Sequence, residues 1–344
     1  MVNKSLKSEQ YKDAAANVTH FYEMIPSAVQ RFLASCNTEE FFDHVDTKPI
    51  PSQESVVQFI HQARCILFPG YFTHARLDPN NLEYYLGQQM TELFERLSKQ
   101  IIFSIQHDCL RYNQPCSECI ERSLEKTLQF IQTLPELRAV LSTDIRAALE
   151  GDPAAKSYDE IIFSYPGFFA ITVYRIAHKL HELDVLLLPR MMTEYAHSLT
   201  GIDIHPGAKI EESFFIDHGT GVVIGETTEI GKRVRLYQGV TLGALSLSKE
   251  VIDRFRDKKR HPTIGSDVII YSNATILGEK AVIGARSIIG GNVWITECVP
   301  PDTKVLLKQP ELVYIGNNNK LVRKEVVILP DTGERYLSTD LIVT

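Results

Sequence analysis

The sequence contains little cysteine and no long apolar run. With 6 cysteines in 344 residues, a scaffold held by disulfide bonds is not expected, and the thiols should stay reduced. No apolar segment approaches the roughly 20 residues that cross a bilayer. The polar opening MVNKSLKSEQYKDAA also lacks the apolar core of a signal peptide. These absences predict a cytoplasmic protein without a membrane partner.

Positively charged residues are outnumbered by negatively charged ones. The chain carries 36 Lys and Arg against 43 Asp and Glu, which gives a formal net charge of -7. This balance disfavours a protein that follows the phosphates of a nucleic acid. The hydrophobic fraction of 44% and the length are sufficient for two ordinary domains with a buried core.

Three of the cysteines lie close together in the sequence, at Cys109, Cys116 and Cys119, with His107 nearby. Thiolates and imidazole can bind zinc, but a structural zinc site needs four ligands at a recognisable spacing. The favoured interpretation is a helical stretch with small, partly buried thiols. We therefore predict no metal site.

The first two hundred residues show helical periodicity. The periodic apolar positions include Val57, Ile60, Ala63, Ile66, Leu124, Leu128 and Ile131. Segment 166–199 predicts two helices interrupted near Pro189. One face of this segment is apolar, with Phe169, Val173, Ile176 and Leu180. The pattern predicts an all-helical N-terminal domain over residues 1–200.

From Ile204 onwards the period changes to six. The repeated aliphatic positions are Ile204, Ile210, Ile216, Ile224, Ile230, Leu236, Leu242, Ile264, Ile270, Leu277, Ile283, Ile289 and Ile295. Small or β-branched residues often follow four positions later, as at Ala208, Thr220, Thr228, Val234, Val240, Val268, Ala274, Ala281, Ser287, Val293 and Val299. Such hexapeptide repeats predict a left-handed parallel β-helix over residues 201–302, with three short strands in each coil. The phase slips by two residues near Val222 and by one near Leu277, where we expect local distortion.

Two segments fall outside this repeat. Residues 245–259 are charged and lie between repeats, which predicts an extruded loop able to contact substrate. Residues 303–344 alternate apolar and polar residues, which predicts short strands in a C-terminal tail. The fold class is therefore α+β, with helices first, then the β-helix, then the tail.

A polar cluster lies in the early repeats. It comprises Asp203, His205, Asp217, His218 and Glu226. A hydroxyl that attacks a thioester must lose its proton, and a histidine with a pKa near 7 is suited to accept it. Asp203 and His218 are 15 residues apart, close to one coil of about 18 residues. We predict that Asp203 lies one coil below His218 and hydrogen-bonds its ring, and that His205 is a positioning residue.

Longer motifs surround this cluster. The runs DIHPGAKI, IDHGTGVVIGET, QGVTLGA, RHPTIG and ATILG resemble the signature of serine acetyltransferases, and GDPAAKSY and YPGFFAITVYRIAHKL resemble the last helices of that family. The resemblance covers roughly residues 140–300. It implies that His218 is the general base, that Asp203 completes a dyad, and that Glu226 supports the serine site.

The same resemblance implies the ligands. Asp152 and Asp217 would hold the serine ammonium, and Arg260 and His261 would bind its carboxylate. Acetyl-CoA, the co-substrate, would lie between neighbouring subunits on turns at Gly243, Ala244, Tyr271 and Ser272. The product would be O-acetylserine for cysteine biosynthesis.

A site shared between subunits implies a homotrimer, or a hexamer made of two trimers. In the family, O-acetylserine sulfhydrylase binds a terminal isoleucine. This chain ends at Thr344, so we do not expect that complex.

Three alternatives stay open. An acyltransferase for a sugar or amino sugar would retain His218 but would not need Asp152, Arg260 and His261 together. A prism-type carbonic anhydrase would need three histidines on one zinc, for which His205, His218 and His261 are the candidates. A scaffold subunit without catalytic activity is the third.

Overall fold

The computed structural model describes residues 21–36, 50–111, 118–245 and 258–308, and three strands in the tail. The helices in these ranges are α1 (21–35), α2 (Gln53–Leu67), α3 (Leu82–Arg111), α4 (Cys119–Gln132), α5 (Leu134–Gly151), α6 (Tyr158–Ser164), α7 (Pro166–Glu182) and α8 (Leu188–Thr200). They confirm the helical N-terminal region. None of the described helices is long and apolar enough to cross a membrane.

Several helix ends follow from the local sequence. The hydroxyl of Ser52 accepts a hydrogen bond from the Ser55 amide at the start of α2, and Ser157 caps α6 in the same way. Proline stands in the first turn of both α7 and α8, where its missing N–H costs no hydrogen bond. Gly201 ends α8 in the left-handed conformation. The predicted interruption between α7 and α8 is confirmed.

Two of the three stripe residues predicted on α4, Leu124 and Leu128, point outwards, while the third, Ile131, packs against the core. Leu124 and Leu128 are 38% and 51% exposed, whereas Ser123 and Thr127 are fully buried. The buried hydroxyls are satisfied: Ser123 donates to the Ser98 carbonyl of α3, and Thr127 donates to the Ser123 carbonyl. Helical periodicity was therefore a correct guide to the helix but not to its buried face.

Cys119 is disulfide-bonded, which makes the prediction of reduced thiols wrong at this residue. Its sulfur lies 3.8 Å from that of Cys109, which is a free thiol. Cys116, the third member of the sequence cluster, lies outside the described residues. A disulfide sulfur is not a thiolate, so this state of Cys119 does not support the zinc alternative.

The C-terminal region consists of short parallel strands. They are β1 (Asp203–Ile204), β2 (Lys209–Ile210), β3 (Phe215–Ile216), β4 (Val223–Ile224), β5 (Glu229–Ile230), β6 (Arg235–Leu236), β7 (Thr241–Gly243), β8 (Thr263–Ile264), β9 (Ile269–Ile270), β10 (Thr275–Leu277), β11 (Val282–Ile283), β12 (Ile288–Ile289), β13 (Trp294–Ile295) and β14 (Lys304–Val305). Sheet 1 has the order β1-β4-β7-β10-β13, sheet 2 the order β11-β8-β5-β2, and sheet 3 the order β14-β12-β9-β6-β3. From β1 to β13 successive strands enter the three sheets in turn, so the chain forms a three-sided coil.

The aliphatic residues of the six-residue repeat, and the small or β-branched residues four positions after them, fill the interior of this coil. There is one exception in each series. Ile276, not Leu277, is fully buried, because Ile276 pairs with Leu242 in sheet 1. Val222, not Thr220, is the buried residue before β4. Both errors fall at the two phase slips, where counting by six selects the wrong neighbour.

The predicted domain boundaries stay predictions. The last helix ends at Thr200, β1 begins at Asp203, and β14 still pairs with β12 in sheet 3. Tail strands β15 (Tyr314–Ile315), β16 (Leu321–Ile328) and β17 (Arg335–Leu341) form an antiparallel sheet. Of the predicted loop 245–259, residues 246–257 lie outside the described part.

Helices α5 and α7 join the helical region to the first coil through a buried ion pair. Arg175 donates two hydrogen bonds to the Asp144 carboxylate, at 2.6 and 2.9 Å. Arg175 also donates to the carbonyls of Ile210 and Glu211, and Asp144 accepts from the Phe214 amide. Because a buried charge is costly without such partners, this network fixes α5 against the coil.

Candidate active site

Two corners of the coil contain most of the predicted site residues. We call the turns from sheet 3 to sheet 1 the His218 corner, and the turns from sheet 1 to sheet 2 the His261 corner. Seven residues, 219–225, separate His218 from Glu226 at the next corner. Gly219 and Gly221 have positive φ and belong to the turn, so about five residues, 222–226, span the distance in extended form. At about 3.3 Å per extended residue, the two corners are on the order of 15 Å apart.

His218 lies on an enlarged turn. Eight positions separate Ile216 from Ile224, whereas six separate Leu236 from Leu242 one coil further on. The two additional residues are the predicted phase slip near Val222. They leave the side chain of His218 70% exposed, with its Nε2 3.9 Å from Asp217 Oδ1. The φ of His218 is +57°, an uncommon conformation for a residue with a Cβ.

Asp152 approaches the same corner from the end of α5. Tyr165, at the start of α7, donates a hydrogen bond of 2.5 Å to Asp152 Oδ2, and the Ala154 amide donates to Oδ1. These bonds, with a smaller contribution from nearby His218, lower the pKa of Asp152. The His218 corner thus combines an exposed imidazole with two carboxylates, Asp152 and Asp217.

The His261 corner combines opposite charges. The guanidinium of Arg260 donates to Glu226 Oε2, and its backbone amide donates to Thr227 Oγ1. His261 Nδ1 accepts a 3.1 Å hydrogen bond from the Thr227 amide. An amide can only donate, so the proton of neutral His261 must be on Nε2. Burial first, and then the charge of Arg260, lower the pKa of His261 to about 4.

Gly225 makes room for the His261 ring. A Cβ at Gly225 would lie 2.0 Å from both Cδ2 and Nε2 of His261, closer than any side chain tolerates. Gly225 is therefore required by close approach, and His261 is held between this backbone and Thr227. Its Nε2–H donor is fixed in direction.

Asp203 lies on β1, beside the His261 corner. Its Oδ1 is 3.7 Å from the Arg190 guanidinium, and its charge acts on nearby His205. Among the residues that the structure describes, no hydrogen bond joins Asp203 to His218. The predicted bond is absent in the single chain because Asp203 is on a strand of sheet 1, whereas His218 is on the turn that precedes this sheet.

His205 is half-buried next to Glu226. Its Nδ1 accepts from the Gly207 amide within its own turn, which is compatible with the predicted positioning role. Burial lowers the pKa of His205, and the charge of Glu226 opposes this shift. His205 and His261 therefore share one corner while His218 lies at the other, so the three histidines do not converge on one point within a chain.

A candidate cation cluster includes Asp203. Single ligand atoms of Glu194, His197 and Asp203 lie within 4.8 Å of one another. Arg190 forms ion pairs with both Glu194 and Asp203 and already supplies positive charge here. The absence of a metal cofactor stays a prediction.

The turns expected to bind the pantetheine arm are divided in the same way. Gly243 ends β7 and Ala244 follows it at the His261 corner, and Tyr271 and Ser272 follow β9 at the His218 corner. The ring of Tyr271 stacks on that of Tyr237 at 5.0 Å. The carbonyl of Gly243 accepts one hydrogen bond from the Gly278 amide, and that of Ser272 accepts one from the Asn292 amide. A carbonyl oxygen can accept a second.

Sequence reasoning missed three residues of the site: Tyr165, Gly225 and Thr227. Tyr165 lies in the YPGFF run, and both Gly225 and Thr227 lie within IGET. Each acts by contact with a predicted residue that is distant in sequence. A hydroxyl or a glycine gives no sign of such a contact, and the only available signal was their position inside the resembling motifs.

Several known proteins are similar to this chain in sequence and in fold. The protein described as serine acetyltransferase, plasmid, from Synechococcus elongatus is 45% identical over 256 residues, 73% of this chain and 80% of that protein. The Bacillus subtilis serine acetyltransferase is 42% identical over 204 residues, 58% of this chain and 89% of that protein. The crystal structure of Entamoeba histolytica serine acetyltransferase 1 in complex with L-cysteine has 36% identity and a TM-score of 0.63, and the match covers 81% of this chain and 96% of that one. No protein-family model matches the chain. With an exposed histidine beside two carboxylates, and this similarity over most of its length, the chain belongs to the serine acetyltransferase family of enzymes.

Proposed function

We propose that this protein transfers the acetyl group of acetyl-CoA to the hydroxyl of L-serine and yields O-acetylserine for cysteine biosynthesis. The observation that carries the proposal is the pairing of Asp152 and Asp217 with His218 at one corner. Two carboxylates suit an ammonium group, and an adjacent exposed imidazole suits the hydroxyl, whose oxygen is three bonds from the ammonium nitrogen. A neutral sugar has no ammonium group, and an amino sugar has no carboxylate for Arg260 and His261 to bind, which favours serine over that alternative.

The proposed reaction is a direct transfer. His218 removes the proton from the serine hydroxyl as the oxygen attacks the thioester carbonyl. The tetrahedral intermediate collapses, the carbon–sulfur bond breaks, and the proton on His218 goes to the departing CoA thiolate. No acetyl-enzyme forms, and His218 returns to its neutral state.

We propose that a complete site needs two chains. Within one chain, the groups suited to ammonium and hydroxyl lie at the His218 corner, and those suited to carboxylate, Arg260 and His261, lie at the other. A serine molecule is much shorter than the separation of the corners. In a homotrimer of left-handed β-helices, the His218 corner of one chain faces the His261 corner of its neighbour.

In this arrangement Asp203 and Glu226 act from the neighbouring chain. Asp203 completes the dyad with His218, and Glu226 orients Arg260 toward the substrate carboxylate. Acetyl-CoA lies between the chains, with its pantetheine arm on the turns Gly243-Ala244 and Tyr271-Ser272. The helical regions pair two trimers where a hexamer forms. The reaction uses no metal, and the enzyme acts in the cytoplasm.

An assay of CoA release tests the activity. L-serine, L-homoserine and a panel of sugars are each offered with acetyl-CoA. We expect the highest kcat/KM with L-serine. Faster transfer to a sugar would overturn the proposal, and so would CoA release that does not depend on an acceptor.

A mixing experiment tests the shared site. His218→Ala and Arg260→Ala chains are each impaired, but they are defective at different corners. When the two are unfolded together and refolded at equal ratio, roughly a quarter of the sites should combine two intact corners, since each corner is intact in half of the chains. Recovered activity near that level supports the shared site. Activity no higher than the average of the two separate variants would contradict it.

A further inference from the structure

A cavity in the helical region lies away from both corners of the coil. Its volume is about 310 Å³, at the lower end of the range for small-molecule pockets. Its floor consists of buried apolar side chains, Leu67, Phe68, Ile145 and Ile162. We call this cavity the α5 groove, because α5 forms its longest wall.

Two guanidinium groups form the rim of the α5 groove. Arg138 and Arg146 are eight residues apart on α5, which places them on the same face of the helix about two turns apart. Arg138 donates to the carbonyl of Leu67, the last residue of α2. Arg146 is exposed, and no hydrogen bond or ion pair joins its side chain to another residue within the described ranges.

The two charged residues that line the groove are both arginines, and the Asp159 carboxylate, which accepts a hydrogen bond from the lining residue Tyr71, is not part of the lining. None of the described residues that line it is an aspartate or a glutamate, and its remaining polar groups include the hydroxyls of Ser142 and Tyr158. A guanidinium beside an apolar surface gains most from a planar carboxylate, which it binds with two parallel hydrogen bonds. The lining therefore favours an anion over a cation or a neutral molecule.

We propose that the α5 groove binds a small organic carboxylate with an apolar body. The carboxylate pairs with Arg146 and with the N–H groups that Arg138 does not use for Leu67. The apolar body covers Ile145, Ile162 and the other floor residues, and this contact removes apolar surface from water. An inorganic anion would satisfy the arginines but leave the floor hydrated, so the groove favours an amphipathic ligand.

The site is separable from the acceptor site. No residue of the His218 or His261 corner lines the α5 groove. Binding of such a carboxylate should therefore persist in the His218→Ala protein and in the presence of acetyl-CoA and serine.

Isothermal titration calorimetry of the full chain with phenylacetate tests this proposal, and phenylacetamide is the neutral analogue of the same shape. We expect phenylacetate to bind at least about tenfold more tightly than the amide, because a charge-assisted hydrogen bond contributes at least that factor. Arg146→Gln should weaken phenylacetate binding by about tenfold, and Arg146→Lys by less. Arg122→Gln, an exposed arginine of α4, is the matched control and should leave the affinity unchanged.

Several results would overturn the proposal. These are equal affinity for phenylacetate and phenylacetamide, an unchanged affinity in a folded Arg146→Gln protein, or no measurable binding of phenylacetate to the full chain. Loss of binding in His218→Ala would also overturn it, since the probe would then occupy the acceptor site. Circular dichroism of each variant separates lost binding from lost structure.

Discussion

Tyr165 donates its phenolic hydrogen to Asp152 over 2.5 Å and so joins the start of α7 to the residue that follows α5. Burial, and then this bond, raise the pKa of Tyr165, while the same bond lowers the pKa of Asp152. Tyr165 therefore keeps Asp152 ionised and restricts its rotation. An ionised, oriented carboxylate is what a substrate ammonium requires.

Tyr165→Phe should raise KM for serine by about three- to tenfold with little change in kcat, because one hydrogen bond is lost and His218 is untouched. The pKa of Asp152 should rise toward its ordinary value, so the acidic limb of the kcat/KM profile should move to higher pH. Steady-state kinetics across pH measures both effects. Tyr71→Phe is the matched control, since Tyr71 makes the same 2.5 Å bond to Asp159; equal effects of the two substitutions would contradict a specific role for Tyr165.

His218→Ala should lower kcat by at least about 10², because a positioned base typically contributes 10² to 10⁴. The fold should be preserved, since the side chain of His218 is 70% exposed. Asp203→Asn should lose less activity, because the base remains and only its orientation is impaired. Single-turnover kinetics on the folded oligomer checks both; near-normal turnover of His218→Ala would exclude it as the base.

The free energy of unfolding should depend on pH through His261. Its pKa is lowered to about 4 in the folded chain, whereas an unfolded histidine titrates near 6.5. Between these values the unfolded chain binds more protons, so stability should rise with pH across that window, by on the order of 1–3 kcal/mol. Urea denaturation at several pH values measures the slope. His261→Asn, which retains an acceptor for the Thr227 amide, should flatten it; an unchanged slope would assign the effect to other groups.

Gly225→Ala should displace the His261 ring, because the added Cβ would lie 2.0 Å from two of its atoms. We expect a rise in KM for serine with smaller loss of stability than a core substitution causes. Gly87→Ala is the control, since a Cβ at Gly87 meets no atom within 4 Å. Steady-state kinetics of the two variants measures their KM for serine. A normal KM in Gly225→Ala would show that the position of the His261 ring is not needed for serine binding.

Asp144→Ala should destabilise the protein by about 3–5 kcal/mol, because it leaves the Arg175 guanidinium buried without its counter-charge. The side chains of Asp144 and Arg175 are 1% and 7% exposed. The exposed pair Arg233 and Asp267 has the same bidentate geometry and provides the comparison, since Asp267→Ala should change stability little. Equal losses in chemical denaturation would mean that burial does not decide the strength of these pairs.

L-cysteine should compete with L-serine. The two amino acids share the ammonium and carboxylate groups, and the Entamoeba histolytica relative was crystallised in complex with L-cysteine. Arg260→Ala should weaken both ligands by a similar amount, about 1.5–3 kcal/mol. Inhibition kinetics with serine varied at several cysteine concentrations measures this, and non-competitive inhibition would show that the ligands bind different sites.

The sequence by itself determined the helical region and the repeating architecture of the coil. A period of six requires each aliphatic side chain to enter a common interior, and the burial of residues such as Ile204, Ile224 and Leu242 follows from that rule. The two-residue slip before Val222 even marked the enlarged turn that holds His218. Such information is local, because strand, turn and inward position recur with the chain itself.

Tertiary structure decided which of these residues meet. Asp144 and Arg175 are 31 positions apart, and Thr227 and His261 are 34 apart, so no local rule connects them. The separation of the His218 and His261 corners, and the position of Asp203 beside the second, depend on which sheet each turn joins. The outward position of Leu124 and Leu128 on α4 has the same origin, because a helical period specifies that a face exists but its packing partners determine where that face points.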